Sequence, residues 1–146
     1  MSVASAEDLF SRIYDGIVDY HEKPLGKNVR FLLPSLKLKK QIGDDSTVEH
    51  GVHVFLLERF GGYTATSATV FGYWKDEDGE NSYGEHREFT VALPDDRCLG
   101  ELKEFLARTA REMQEQCLYV EVAGVATLLY GEPGTRAEMN PAGAPR

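Results

Sequence analysis

What the chain lacks narrows it first. Among 146 residues there are only two cysteines, Cys98 and Cys117, and they form no CxxC pattern. A disulfide-stapled secreted fold is therefore excluded as the framework, and the two thiols read as reduced and partly buried in a cytoplasmic protein. No apolar run approaches the roughly 18 residues of a membrane-spanning helix, so no membrane association is expected. The first eight residues lack the basic-then-apolar order of a secretory signal. Positive charge is also short, with 16 Lys and Arg against 24 Asp and Glu and a formal net charge of −8. That balance disfavours nonspecific attachment to nucleic acid or to anionic lipid. Diagnostic chemistry is missing too: there is no H-E-x-x-H, no G-x-S-x-G elbow and no phosphate loop after Gly61-Gly62. No catalytic residue, metal or cofactor is expected from motifs.

What is present is a single α+β domain over residues 1–130, long enough to bury its own core, followed by a Pro- and Gly-rich flexible tail over 131–146. Ser5 and Asp8 have capping-box spacing. Leu9, Phe10, Ile13, Tyr14, Ile17 and Val18 then form one apolar stripe of a helix that should persist until Pro24-Leu25-Gly26 breaks it. Residues 28–34 are ambiguous between strand and buried turn. The alternation of Leu36, Leu38 and Ile42 with Lys37, Lys39 and Gln41 places the first core strand at Ser35–Ile42.

Ser46-Thr47-Val48-Glu49 caps a helix that Gly61 ends. Tyr63–Trp74 and Tyr83–Leu93 read as two strands of a hairpin around an acidic turn at Gly79. Asp95-Asp96 open a helix over 96–116, with Leu99, Leu102, Leu106, Thr109, Ala110 and Met113 inward. Cys117–Val122, the Ala123-Gly124 turn and Val125–Tyr130 make a terminal hairpin.

The order after the first helix is strand, helix, strand, strand, helix, strand: a ferredoxin-like antiparallel sheet with two helices on one face. An extra N-terminal helix and a C-terminal hairpin strand complete it. The spacing from the Phe60-Gly61-Gly62 helix stop, through the Tyr73-Trp74 arm, to the Gln116–Val122 junction resembles small, uncharacterised bacterial ferredoxin-like domains over about Leu36–Leu129. The resemblance implies the fold and carries no catalytic residue.

Several side-chain groups invite chemistry. Glu49, His50 and His53 lie within one helical turn, yet a zinc site needs three or four converging ligands, so helix-flank histidines are the plainer reading. Asp76, Asp78 and Glu80 lack the twelve-residue calcium layout. Asp15 and Asp19 fall on an outer helix face, and Ser67 has no partner base in its neighbourhood of sequence. Cys98 sits at a helix N-terminus, where the dipole lowers a thiol pKa and Asp95 and Asp96 oppose it. Phe71, Tyr73 and Trp74 on a strand raise the question of base stacking, but the RNA-binding motif of such domains is absent. Arg30, Lys37, Lys39 and Lys40 concentrate positive charge; lysines on an edge strand would do the same to block edge pairing.

Three functions follow. The leading one is a small binding or regulatory module acting by protein contact or homo-dimerisation through its sheet face or edge. Its candidate binding residues are Phe71, Tyr73, Trp74 and His86. The second is a small enzyme or ligand-binding domain with a pocket near His86 and Glu88 and near Glu49, His53 and Arg87. The third is a binder of nucleic acid or an anionic ligand through Arg30, Lys37, Lys39 and Lys40.

Overall fold

Val29, Phe31 and Leu33 alternate with Asn28, Arg30 and Leu32, and this run forms the first strand, β1 (Lys27–Pro34). The computed structural model describes residues 5–131 apart from Ile17 and Asp76, so most of the expected tail lies outside the described residues. Ahead of β1, helix α1 (Ala6–Tyr14) opens on the Ser5–Asp8 capping box. It stops earlier than its apolar spacing suggests, because Gly16 adopts a left-handed φ of 82°. None of its residues is buried.

After β1 come α2 (Val48–Phe60), β2 (Thr64–Ala65), β3 (Val70–Lys75), β4 (Asn81–Leu93), α3 (Asp96–Glu112), β5 (Cys117–Val122) and β6 (Val125–Tyr130). The strands form one antiparallel sheet in the order β2-β4-β1-β5-β6, with β3 also paired to β4. Fold class is thus α+β with an antiparallel sheet and three helices.

The expected first strand at Ser35–Ile42 is corrected. That stretch is a turn and a single 3₁₀ turn at Lys37–Lys39, joined to the start of α2 by a lone bridge between Gln41 and Thr47. Of its alternating apolar residues only Leu38 is buried, whereas Leu36 is 78% exposed. The alternation that governs is the earlier one, where Val29, Phe31 and Leu33 are each fully buried and Pro34 takes the last strand position. Proline fits there because a strand end does not require its missing N–H.

Residues 48–60 are helical, as the two caps require. Thr47 rather than Ser46 supplies the capping oxygen, accepting from His50 N at 3.1 Å, and Gly61 closes the helix at φ 82°. The single strand expected over Tyr63–Trp74 divides in two. Ala65 faces Phe89 while Val70 faces His86, so the segment between β2 and β3 contains two residues more than the β4 segment it faces. The Thr66 hydroxyl holds this bulge, accepting from Glu88 N and donating to Ala68 O. Helix α3 ends at Glu112, with Gln114 left-handed at φ 57°.

Register fixes two faces. Val29, Phe31, Phe89, Val91, Val120 and Val122 stand on one side and share a core with Val48, Val52 and Leu56 of α2, with Leu102, Leu106 and Ala110 of α3, and with Met113 just past its end. Phe31 stacks on Phe89 at 5.4 Å, and Phe55 of α2 on Phe105 of α3 at 3.8 Å. The other side carries Arg30, Leu32, His86, Glu88, Thr90, Tyr119 and Glu121, and is called the open face below. Among the described residues no helix is long and apolar enough to cross a membrane.

The corrected strand is testable by paired truncations. Phe31→Ala should cost about 3–5 kcal/mol in urea unfolding, and Leu36→Ala should stay within about 0.5 kcal/mol of the parent. Equal costs would contradict the placement of β1.

Candidate functional site

The open face is organised by one cation. Arg30, on the central strand, donates from Nη1 to Glu88 at 2.7 Å and from Nη2 and Nε to Glu121 at 2.7 and 3.1 Å. Its guanidinium lies 5.6 Å from the centre of the Tyr119 ring, whose hydroxyl donates to Glu121 at 3.1 Å. Arg30 therefore ties β1 to both neighbours at once. Its pKa is driven up, first by the Glu88 bond and then by Glu121. The Glu121 carboxyl is driven below its usual range, first by Arg30 and then by Tyr119.

Beside this cluster β4 runs past the end of β1, whose last partner pair is Pro34 with His86. Beyond it the β3–β4 ribbon stands as an arm. Between the arm and β5–β6 lies a cleft of about 420 Å³. Trp74 and His86 form the arm wall, with Tyr73 only at its edge. Tyr119, Leu128, Tyr130 and Cys117 form the opposite wall, Leu32 lies between them, and Lys75, Glu77 and Glu115 supply charge. Trp74 and His86 are in ring contact at 6.0 Å. Burial pushes the Cys117 thiol up, with the Glu115 charge adding to it.

The residues proposed from sequence fall into separate groups. His86 and Trp74 meet in the cleft with Tyr73 at its edge, and Glu88 lies on the same face, bound to Arg30. Glu49, His53 and Arg87 gather on the helix side instead. Arg87 donates to Glu49 at 2.6 Å and to Thr66 O at 3.0 Å, and His53 Nδ1 shares a 2.7 Å hydrogen bond with the Tyr63 hydroxyl. The sheet separates the two sets, because Arg87 lies opposite Leu33 and His86 opposite Pro34. A one-residue step reverses the face. The pocket expected from all five residues is thereby reduced to its His86 part. No group of three His, Cys, Asp or Glu among the described residues could hold a metal ion.

The basic residues also separate. Lys37 pairs with Glu115 at 2.7 Å and reaches Gln114 O, while Lys40 donates to Glu112 O at 2.6 Å. Both lysines thus neutralise the negative C-terminal end of α3, Arg30 is engaged on the open face, and Lys39 is exposed. Phe71, Tyr73 and Tyr83 lie on the reverse side of the arm, with ring centres 5.9 and 5.1 Å apart. The Cys98 thiol is pushed up, first by its hydrogen bond with Asp95; the dipole does not activate it. The cleft residues not singled out from sequence are Leu32, Gly72, Tyr130, Leu128 and the charged pair Glu77 and Glu115. Their signal is register, which appears only once strand pairs are known.

No known family model matches the sequence, and no curated protein does. Two solved structures are similar in fold. A phage SAM lyase in its apo state has a TM-score of 0.52 at 13% identity, over 80% of this chain and 99% of that one. A phage SAM lyase in complex with S-methyl-5′-thioadenosine has a TM-score of 0.49 at 12% identity, over 78% and 96%.

The Arg30 cluster predicts a pH dependence of stability. The folded pKa of Glu121 lies below its unfolded value of about 4.3, so its contribution is fully present above that value and is lost as pH falls through the folded pKa. Urea midpoints of the parent should fall with pH in that acidic window. Those of Arg30→Gln should be lower at neutral pH and fall less there. Parallel curves would show that the cluster does not couple to folding.

Proposed function

We propose that this chain is a small ligand-binding domain or enzyme whose site is the open-face cleft, and that its ligand is S-adenosylmethionine or a close adenosyl thioether. The observation that carries the reading is the cleft itself: about 420 Å³ walled by Trp74, Tyr119, Tyr130 and His86. Aromatic faces suit a purine by stacking and a sulfonium cation by its attraction to π electrons. Glu77 adds a negative charge to the lining, while Lys75 is also there and Glu115 is paired with Lys37 at 2.7 Å. The fold likeness to a phage SAM lyase supports this choice of ligand over other flat cations.

The same reading takes the core as ferredoxin-like. Strand order β2-β4-β1-β5, antiparallel throughout, supports it, as does a helix following each of β1 and β4.

Trp74 is the single tryptophan of the chain, so its fluorescence reports on the cleft directly. Titration with S-adenosylmethionine should change Trp74 emission saturably, and calorimetry should return the same Kd. Trp74→Ala should weaken binding by about tenfold or more in calorimetry. Chromatography of the same mixtures distinguishes enzyme from binder: loss of ligand with appearance of S-methyl-5′-thioadenosine identifies cleavage. Absence of binding up to millimolar ligand overturns the reading.

A second reading, self-association through the arm, is favoured by the exposed ring set Phe71, Tyr73 and Tyr83, of which Tyr73 is 76% exposed. Light scattering across a concentration series should then give a mass above 16.3 kDa that Tyr73→Ser reduces. A monomer at every concentration removes this second reading.

A further inference from the structure

Gly72 and Gly84 face each other across β3 and β4, and the strand parity puts both on the open face with Trp74 and His86. Neither has a left-handed φ, so the backbone does not demand glycine at either position. Glycine within a strand removes a side chain that would otherwise pack, and its presence points to something that must lie close to the backbone. Here the close neighbours are two rings. A Cβ on Gly84 would stand 2.5 Å from His86 Cε1, 3.2 Å from its Nε2 and 3.1 Å from Trp74 Cη2. A Cβ on Gly72 would stand 3.1 Å from Trp74 Cζ3 and 3.6 Å from His86 Cε1. The imidazole and the indole thus lie down on bare backbone. Among the described residues His86 Nδ1 is buried without a hydrogen-bond partner, so one polar atom of this ring is left unsatisfied.

We propose that the Gly72–Gly84 pair is the specificity-determining element of the cleft. By letting His86 and Trp74 lie flat on the sheet it keeps open a slot for a flat heterocycle with a hydrogen-bonding edge, such as a purine. This rests on the reading of the cleft as the ligand site. A methyl group at 84 would lift the imidazole off the backbone and into the space a base would occupy. A methyl group at 72 would press mainly on the indole and disturb the slot less. His86 acts here as a positioned wall of the slot.

The test compares the parent, Gly84→Ala, Gly72→Ala, His86→Ala and the double variant Gly84→Ala/His86→Ala, with S-adenosylmethionine and adenosine as probes. Circular dichroism and thermal unfolding establish that each variant is folded. Calorimetry should show that Gly84→Ala weakens both probes by about tenfold or more, with Gly72→Ala smaller in effect. Trp74 emission should shift in ligand-free Gly84→Ala. In the His86→Ala background the same glycine change should cost less than about twofold, because the ring it would displace is gone. Parent binding with unchanged affinity in Gly84→Ala overturns this proposal and leaves the cleft reading standing. An equal penalty with and without His86 also overturns it. Failure of the parent to bind either probe overturns both. Should Gly84→Ala not fold, the smaller Gly72→Ala penalty decides: none overturns the proposal, and a severalfold loss in both probes upholds it.

Discussion

The structure depends on the parity of β1. This strand lies between β4 and β5, so its alternation is imposed on both neighbours. Val29, Phe31 and Leu33 go to the core, and Arg30 and Leu32 go to the open face. Slipping it by one residue would bury a guanidinium against Phe89 and expose three apolar side chains, which hydrophobic burial alone forbids. Once that parity is set, the pairing of Phe31 with Phe89 and Val120 fixes β4 and β5. The face on which His86 and Tyr119 emerge is then decided.

The helix caps, the long amphipathic α3 and the terminal hairpin were legible because each is specified locally. Asp95 accepts from Cys98 N, Gly61 takes the left-handed position, and Ala123-Gly124 both adopt positive φ in the turn. Bounds of β5 and β6 follow from the same local signals. The first strand was not legible, because two alternating runs, 29–33 and 36–42, compete within one stretch. The lysines in the second run look like edge protection, yet Lys37 and Lys40 serve the C-terminus of a helix more than seventy residues away in sequence. No local pattern announces that contact.

The candidate site was partly legible for a similar reason. Tyr73, Trp74 and His86 stand out by residue type, but Glu49, His53 and Arg87 stand out equally and belong to the other side of the sheet. Residue type selects groups capable of chemistry; only the register says which of them share a face. Arg30 illustrates the limit. Its positive charge reads as part of a basic patch, while in the fold two carboxylates and a tyrosine ring absorb it.

The cleft also constrains what kind of chemistry the chain can perform. Burial pushes the pKa of its thiol up, and in the charge cluster nearby Arg30 is engaged by both Glu88 and Glu121. What remains at the walls is π surface, one imidazole and the charges of Lys75, Glu77 and Glu115. Such a lining acts by fixing geometry and by stabilising positive charge, rather than by attacking a substrate with a nucleophile of its own. A substrate that already contains its leaving group and internal nucleophile would need no more from the protein than that.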